Sequence, residues 1–346
     1  MIKKNLLKTV LVFFGIAVLL TAIIVLTVIA GRRDSVSAED TDASKEVAVS
    51  DQPFARPFTV LVAGKDSAAG LCDVLMLVRV DASSDRVTIL QIPRDTYAEY
   101  TEGTYKKING AQSALGGTEA LCGFLSDSFG IAIDGYVSVD MDVIPLAVDT
   151  LGGVEIELDA PLVYNDPEQE LAINIPAGRQ TLDGVSALQF IRYRSGYVRG
   201  DIGRMDAQKL FLASFARKVK GLNAFELAHL AAAILPKLDT NISLSEALTL
   251  GKVASSVPEE NIVFVTLPGE EVVAQSSGAS YYSLSAPAAK EILCAYFGAR
   301  AEDFDKNALF KNERYESFCK CYEEHAPYEL YTASSLCENG INIDKH

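Results

Sequence analysis

The chain has 346 residues, 49% of them hydrophobic and 22% charged, with a formal net charge of −15. That length accommodates one large domain or two small ones. So acidic a chain excludes nucleic-acid binding through a general electrostatic field and argues against broad adhesion to an anionic membrane surface.

Residues Thr9 to Ala30 carry no charge. At about 1.5 Å per residue they cover the roughly 30 Å hydrocarbon core of a bilayer. A cleaved signal peptide has a shorter apolar core, about 7–15 residues, so an uncleaved transmembrane anchor is expected over 9–30, with Val28-Ile29-Ala30 the alternative cleavage site. Lys3, Lys4 and Lys8 favour a cytoplasmic tail over 1–8, although Arg32 and Arg33 blunt the asymmetry. The expected topology is single-pass in the cell membrane, N-terminus inside and the large domain outside. Removing the three lysines takes that outer part from −15 to −18. Residues 31–57 are polar and aperiodic, a linker expected to be disordered.

The fold begins at Phe58. FTVLVAG, VLMLVRV (74–80) and RVTILQI (86–92) read as strands. A long loop, 93–110, precedes a helix from Thr118, as N-cap, to Phe129, closed by Gly130. YVSVD (136–140) and VEIEL (154–158) read as strands around a helix over 142–151. Residues 159–182 read as loop-rich. Asp183 caps a short helix ending near Gln189, RYR (192–194) reads as a strand, and a longer helix runs from about 202 to 220. Residues 222–257 look helical, 261–267 a strand and 286–298 a helix. Alternating strands and helices imply an α/β fold, a three-layer αβα sandwich with a central mixed sheet. On this reading 58–220 is the core, 221–299 completes it, and 300–346 is a helical appendage.

Four arginines, Arg192, Arg194, Arg199 and Arg204, fall within thirteen residues. Like charges this close repel, so in an acidic protein they make sense around a polyanion. On a strand Arg192 and Arg194 would share one face; on a helix Arg204 and Gln208 would stack. Gly200 and Gly203 bracket the turn, which aims a helix N-terminus at the same spot. The pattern describes a phosphate or pyrophosphate cradle; the alternative is a solvated charged surface.

Asp66 and Asp73 close one strand and open the next, where they either share Mg²⁺ or Mn²⁺ or serve as ordinary strand-end caps. Arg94, in Pro93-Arg94-Asp95-Thr96, follows a buried strand, where ligands gather in open α/β sheets. Lys106 and Lys107 are a phosphate contact or a solvated pair. Cys72 and Cys122 are either a disulfide or two unrelated buried thiols. The three histidines, and the lack of GxSxG or Walker-type GxxxxGK[ST], leave arginine and carboxylate chemistry on phosphate.

In order along 58–220 these motifs resemble the LytR–CpsA–Psr family of bacterial cell-envelope phosphotransferases: GxD at 64–66, Asp73, IPRDT at 92–96, KIN at 107–109, LGGVE at 151–155, RYR at 192–194 and GDxGRxxxQ at 200–208. The resemblance implies transfer of a glycopolymer, such as teichoic acid or capsule, from undecaprenyl pyrophosphate to the muramic acid C6 hydroxyl of peptidoglycan. It implies Asp66 and Asp73 as the Mg²⁺-associated carboxylates. It implies Arg94, Lys107, Arg192, Arg194, Arg204 and Gln208 as pyrophosphate contacts, and Asp201 as the acid that takes the acceptor proton. Many members have Arg-Ser before the second Asp; this chain has Leu71-Cys72. A non-catalytic binder of the lipid-linked precursor and a polyprenyl pyrophosphatase are the competing readings.

Overall fold

The computed structural model describes residues 56–66, 70–102, 106–140, 143–166, 171–194, 196–274, 278–302, 304, 309–311 and 323–340. The expected tail, the membrane anchor and all but the last two residues of the expected linker lie outside these. Among the described residues no helix is long and apolar enough to cross a membrane.

Three strands open the fold: β1 (Phe58–Asp66), β2 (Leu71–Asp81) and β3 (Arg86–Ile92). After the 93–110 loop come α1 (Ala111–Leu115), α2 (Thr118–Phe129), β4 (Gly135–Asp140), α3 (Val143–Thr150) and β5 (Val154–Leu158). Residues 159–182 are not loop: they hold β6 (Leu162–Asp166), β7 (Leu171–Ile175) and β8 (Gly178–Leu182). These strands pair β6 with β7 and β5 with β8 outside the main sheet, and the polar residues of β6 and β8 obscure their alternation. Next are α4 (Gly184–Arg192), α5 (Asp201–Lys220), α6 (Ala224–Ile234), β9 (Leu238–Thr240) and α7 (Leu244–Ser256). The chain then forms β10 (Ile262–Thr266), β11 (Gly269–Val273), β12 (Ser280–Leu284), α8 (Ala286–Phe297), β13 (Tyr331–Thr332) and α9 (Ala333–Asn339).

The main sheet runs β13-β10-β3-β2-β1-β4-β9. It is mixed: β1 with β4 and β3 with β10 are parallel, the other pairs antiparallel. Continuous apolar runs mark its central strands because both faces are buried. Val60, Val62, Met76 and Val78 face one core, which α3, α4, α5 and α6 cover. Leu61, Ala63, Leu75 and Leu77 face the other, covered by α2 and α8. Three layers result.

Two local departures shape the site. Gly64 pairs with Val74 but Lys65 pairs with Cys72, so Asp73 is the extra residue of a β-bulge. A bulge bends its strand and re-aims side chains; here Cys72 and Leu75, three apart, face the same core. The second departure corrects the expected RYR strand. Nothing in LQFIR stops a helix, so α4 continues through Arg192 and ends on Tyr193 in extended backbone.

Other boundaries also move. Thr118 is the first residue of α2 rather than its N-cap, and its hydroxyl accepts from Gln112 Nε2 at 2.7 Å. The 222–257 helical reading breaks at Pro236, where a 3₁₀ turn leads into β9, and α7 restarts on a Ser243–Glu246 capping box. Residues 331–339 are no appendage: β13 pairs with β10, and Leu336 of α9 sits in the core beside α5.

Candidate active site

The site forms where β2 and β3 meet the first turns of α5. Gly200 sits at φ +52°, a conformation that favours glycine. Gly203 lets α5 approach the preceding turn: a Cβ there would lie 2.6 Å from Tyr197 Cβ. Gln91 of β3 fixes the helix to the sheet, its Nε2 donating to the Met205 carbonyl at 3.3 Å while its Oε1 accepts from Thr266 at 2.8 Å.

Asp201 opens α5, and Arg204 lies one turn on, 1% exposed. Its Nη2 is 2.8 Å from Asp201 Oδ1. Arg94 enters from the loop after β3, and its Nη1 donates to Asp73 Oδ1 at 3.1 Å while Nη2 lies 3.6 Å from Asp201 Oδ1. The loop is pinned from behind. Asn109 N–H donates to the Arg94 carbonyl at 3.2 Å and Ile108 N–H to the Thr96 carbonyl at 2.8 Å. The 107–109 motif is therefore partly structural; Lys107 itself pairs with Asp95 at 2.8 Å.

The arginines are not a bare positive cluster. Arg94 and Arg204 alternate with Asp73 and Asp201 in one buried network, which offsets their mutual repulsion. Arg199 also has a carboxylate, that of Asp206. Burial acts first on Asp201 and would raise its pKa, but Arg204, then Arg94, Arg194 and Lys107, together hold it below the ordinary carboxylate value. Burial pulls the Arg204 guanidinium down to about 10 against the pull of Asp201. Burial likewise opposes the charge of Arg94, yet Asp201, Asp95 and Asp73 keep its pKa raised.

The remaining expected residues are distributed unevenly. Gln208 is buried beside the network; its Nε2 donates to the Ile191 carbonyl at 3.3 Å, and its Oε1 has no hydrogen-bond partner among the described residues. Arg192 is half-buried at the end of α4 and Arg194 is exposed beyond it, so they do not share a strand face. Asp66 closes β1, its backbone opposite Leu71. Cys72 and Cys122 are thiols rather than a disulfide: Cys72 donates to Gln112 Oε1 at 2.5 Å, and burial pushes its pKa up to about 12. The sequence reading overlooked the Asp206–Lys209 pair, 2.6 Å apart and buried. Its i,i+3 spacing on a helix was the available signal.

The model of the LytR_cpsA_psr family matches residues 25–296. The chain is 29% identical over 239 residues to the polyisoprenyl-teichoic acid–peptidoglycan teichoic acid transferase TagV of Bacillus subtilis (strain 168), an alignment covering 66% of this chain and 60% of that one. It is 30% identical over 226 residues to TagU of the same organism, a protein of the same description, covering 62% of this chain and 71% of that one. The crystal structure of B. subtilis TagV superposes with a TM-score of 0.60 at 25% identity, over 69% of this chain and 95% of that one.

Proposed function

Because this chain belongs to the LytR_cpsA_psr family, we propose that it is a phosphotransferase that moves a glycopolymer from undecaprenyl pyrophosphate to the muramic acid C6 hydroxyl of peptidoglycan. A membrane anchor over 9–30 would keep it outside the cell, beside its lipid-linked donor. The observation that carries the reading is the buried Arg94–Asp73–Asp201–Arg204 network at the start of α5.

The pyrophosphate takes the two guanidiniums, whose planar forks suit phosphate oxygens bidentately. Lys107, Arg192, Arg194 and Gln208 are the further contacts. The acceptor hydroxyl oxygen attacks the phosphorus that carries the glycopolymer. The P–O bond to the bridging oxygen breaks, polyprenyl phosphate leaves, and the hydroxyl proton passes to Asp201. As long as Arg204 and Arg94 face it, Asp201 is a weak base. An anion that engages those arginines weakens their hold and raises its basicity, so base strength arrives with the substrate. Fixed charges aimed at the phosphates supply the main stabilisation, needing no reorganisation during reaction.

The acidic groups fit a hard divalent cation in kind, since Mg²⁺ takes one or two carboxylates with substrate phosphates rather than an all-protein cage. Among the described residues no three acidic, histidine or cysteine groups converge. Asp73 and Asp66 would hold Mg²⁺ or Mn²⁺, which neutralises phosphate charge when bound. Leu71-Cys72 carries no positive charge, and the Cys72 thiol, its pKa pushed up by burial, adds no negative one.

The test combines the chain, Mg²⁺, a lipid-pyrophosphate glycopolymer and peptidoglycan oligomers. A covalent polymer–glycan product is expected. No product across several donors would support a precursor-binding protein, and release of phosphate without acceptor would support a pyrophosphatase.

A further inference from the structure

A cleft of about 520 Å³ adjoins this network, within the roughly 300–1,000 Å³ of small-ligand sites. Arg194, Gly200 and Ile202 line its near side, so it opens beside the first turn of α5. Asp206 and Lys209, 3% and 2% exposed, also line it. Arg199 reaches the same Asp206 carboxylate from the rim. None of these three charges has a part in the phosphoryl chemistry above, yet keeping two of them buried costs several kcal/mol per ion before pairing.

The opposite wall has two sources. Glu270 and Glu271 come from β11, and Pro327, Tyr328, Glu329 and Tyr331 from a segment beyond the residues matched by the family model. That segment is anchored in the cleft: Lys209 Nζ lies 5.2 Å from the centre of the Tyr331 ring, and the Tyr331 hydroxyl donates to Glu329. Tyr282 ties the wall to the catalytic loop, its N–H donating to the Asp95 carbonyl at 2.8 Å.

The lining selects an occupant class. Seven charged side chains among the lining residues weigh against a polyisoprenoid tail, which needs a continuous apolar wall. Three cations, Arg194, Arg199 and Lys209, face four acids, Asp206, Glu270, Glu271 and Glu329, so a polyanionic chain is not favoured either. Tyrosines with an apolar ring and a polar tip, among ionised hydrogen-bonding groups, suit a sugar, whose C–H face packs on a ring while its hydroxyls bond to charges.

We propose that this cleft is a saccharide subsite, walled by Pro327–Tyr331, that seats a glycan next to the phosphoryl-transfer network. Its role in selecting the glycan rests on the transferase reading; the binding itself does not. The sugar could come from the peptidoglycan acceptor or from the first residues of the donor polymer. The chemistry is the same, and the test separates the sources.

The experiment titrates the full chain in detergent with a peptidoglycan-derived N-acetylglucosamine–N-acetylmuramic acid disaccharide and, separately, with the lipid-free reducing-end disaccharide of a donor polymer. Calorimetry reads the affinity. Tyr328→Ala and Glu329→Gln are expected to weaken binding at least tenfold while inorganic pyrophosphate affinity stays at the wild-type value. Preference for the first sugar assigns the subsite to the acceptor, and preference for the second assigns it to the donor. No saccharide binding, or equal affinity in wild type and variants, overturns the proposal. If Tyr328→Ala loses pyrophosphate affinity through misfolding, the near-isosteric Glu329→Gln decides. Variant-sensitive sugar binding without any transfer product would sink the transferase reading and leave the subsite standing.

Discussion

Asp201→Asn should move two observables in opposite directions. The Asp201 carboxylate lies 2.8 Å from Arg204 and 3.6 Å from Arg94, so it occupies guanidiniums that a pyrophosphate needs. A unit negative charge roughly 6 Å from a phosphate, at an effective dielectric of about 20, repels it by about 3 kcal/mol. Relaxation and water bring the usable part to about 1–2 kcal/mol, or about 5- to 30-fold in Kd. The variant should therefore bind inorganic pyrophosphate more tightly. Transfer should meanwhile fall by about 10²- to 10⁴-fold, since asparagine accepts no proton. Calorimetry with pyrophosphate and a product assay on the same preparation read both quantities, with circular dichroism confirming the fold. Unchanged or weaker pyrophosphate binding would refute the competition between carboxylate and anion. Wild-type transfer would remove Asp201 from the proton path.

Arg94→Ala should cost about 2–4 kcal/mol of transition-state stabilisation, roughly 30- to 1,000-fold in kcat/KM, whereas Arg194→Ala at an exposed position should cost less than about tenfold; equal losses would show that burial does not rank the arginines. Lys209→Met leaves the buried Asp206 with Arg199 alone and should lower stability by about 3–5 kcal/mol in urea titrations, while Lys209→Met combined with Asp206→Leu should recover most of it. Because Asp201 is held below its ordinary pKa, its contribution to stability is full above the unfolded value near 4 and is lost as pH falls through the folded value. Tm should accordingly drop more steeply from pH 5 to 2 in the wild type than in Asp201→Asn, and parallel curves would contradict the assignment.

Much of the fold was legible where a strand's pattern and ends were clear: β3, a mostly buried strand of the main sheet, and β5, the alternating VEIEL outside that sheet, fall on the expected residues. The paired strands of 162–182 were not, since one side of each faces water and the alternation runs through Tyr164, Asn165 and Gln180. Helix and strand are also hard to separate over so short a segment as QFIRYR, which is how α4 hid the end of its last turn in RYR. For the site, motif order grouped Asp73, Arg94, Asp201, Arg204 and Gln208, and these residues lie side by side in the structure. Spacing along the chain carried no information about partners across it. That Arg94 would be held by both Asp73 and Asp201 depends on a bulge, a pinned loop and a helix start that meet only in three dimensions.

The pairing of Tyr331–Thr332 with β10 has a consequence for how the chain reaches its native state. β10 docks beside β3, some 175 positions earlier in sequence, as the Thr266–Gln91 hydrogen bond records. Such distant pairing is slow to form, because a long loop must close before the contact is rewarded. Until residues 331–332 arrive, the outer edge of β10 shows unsatisfied N–H and C=O groups to any neighbouring chain. A two-residue strand is enough to close that edge at Val263 and Phe264. Truncation before residue 331 should therefore leave a nascent chain prone to edge-to-edge aggregation even with its phosphate network complete.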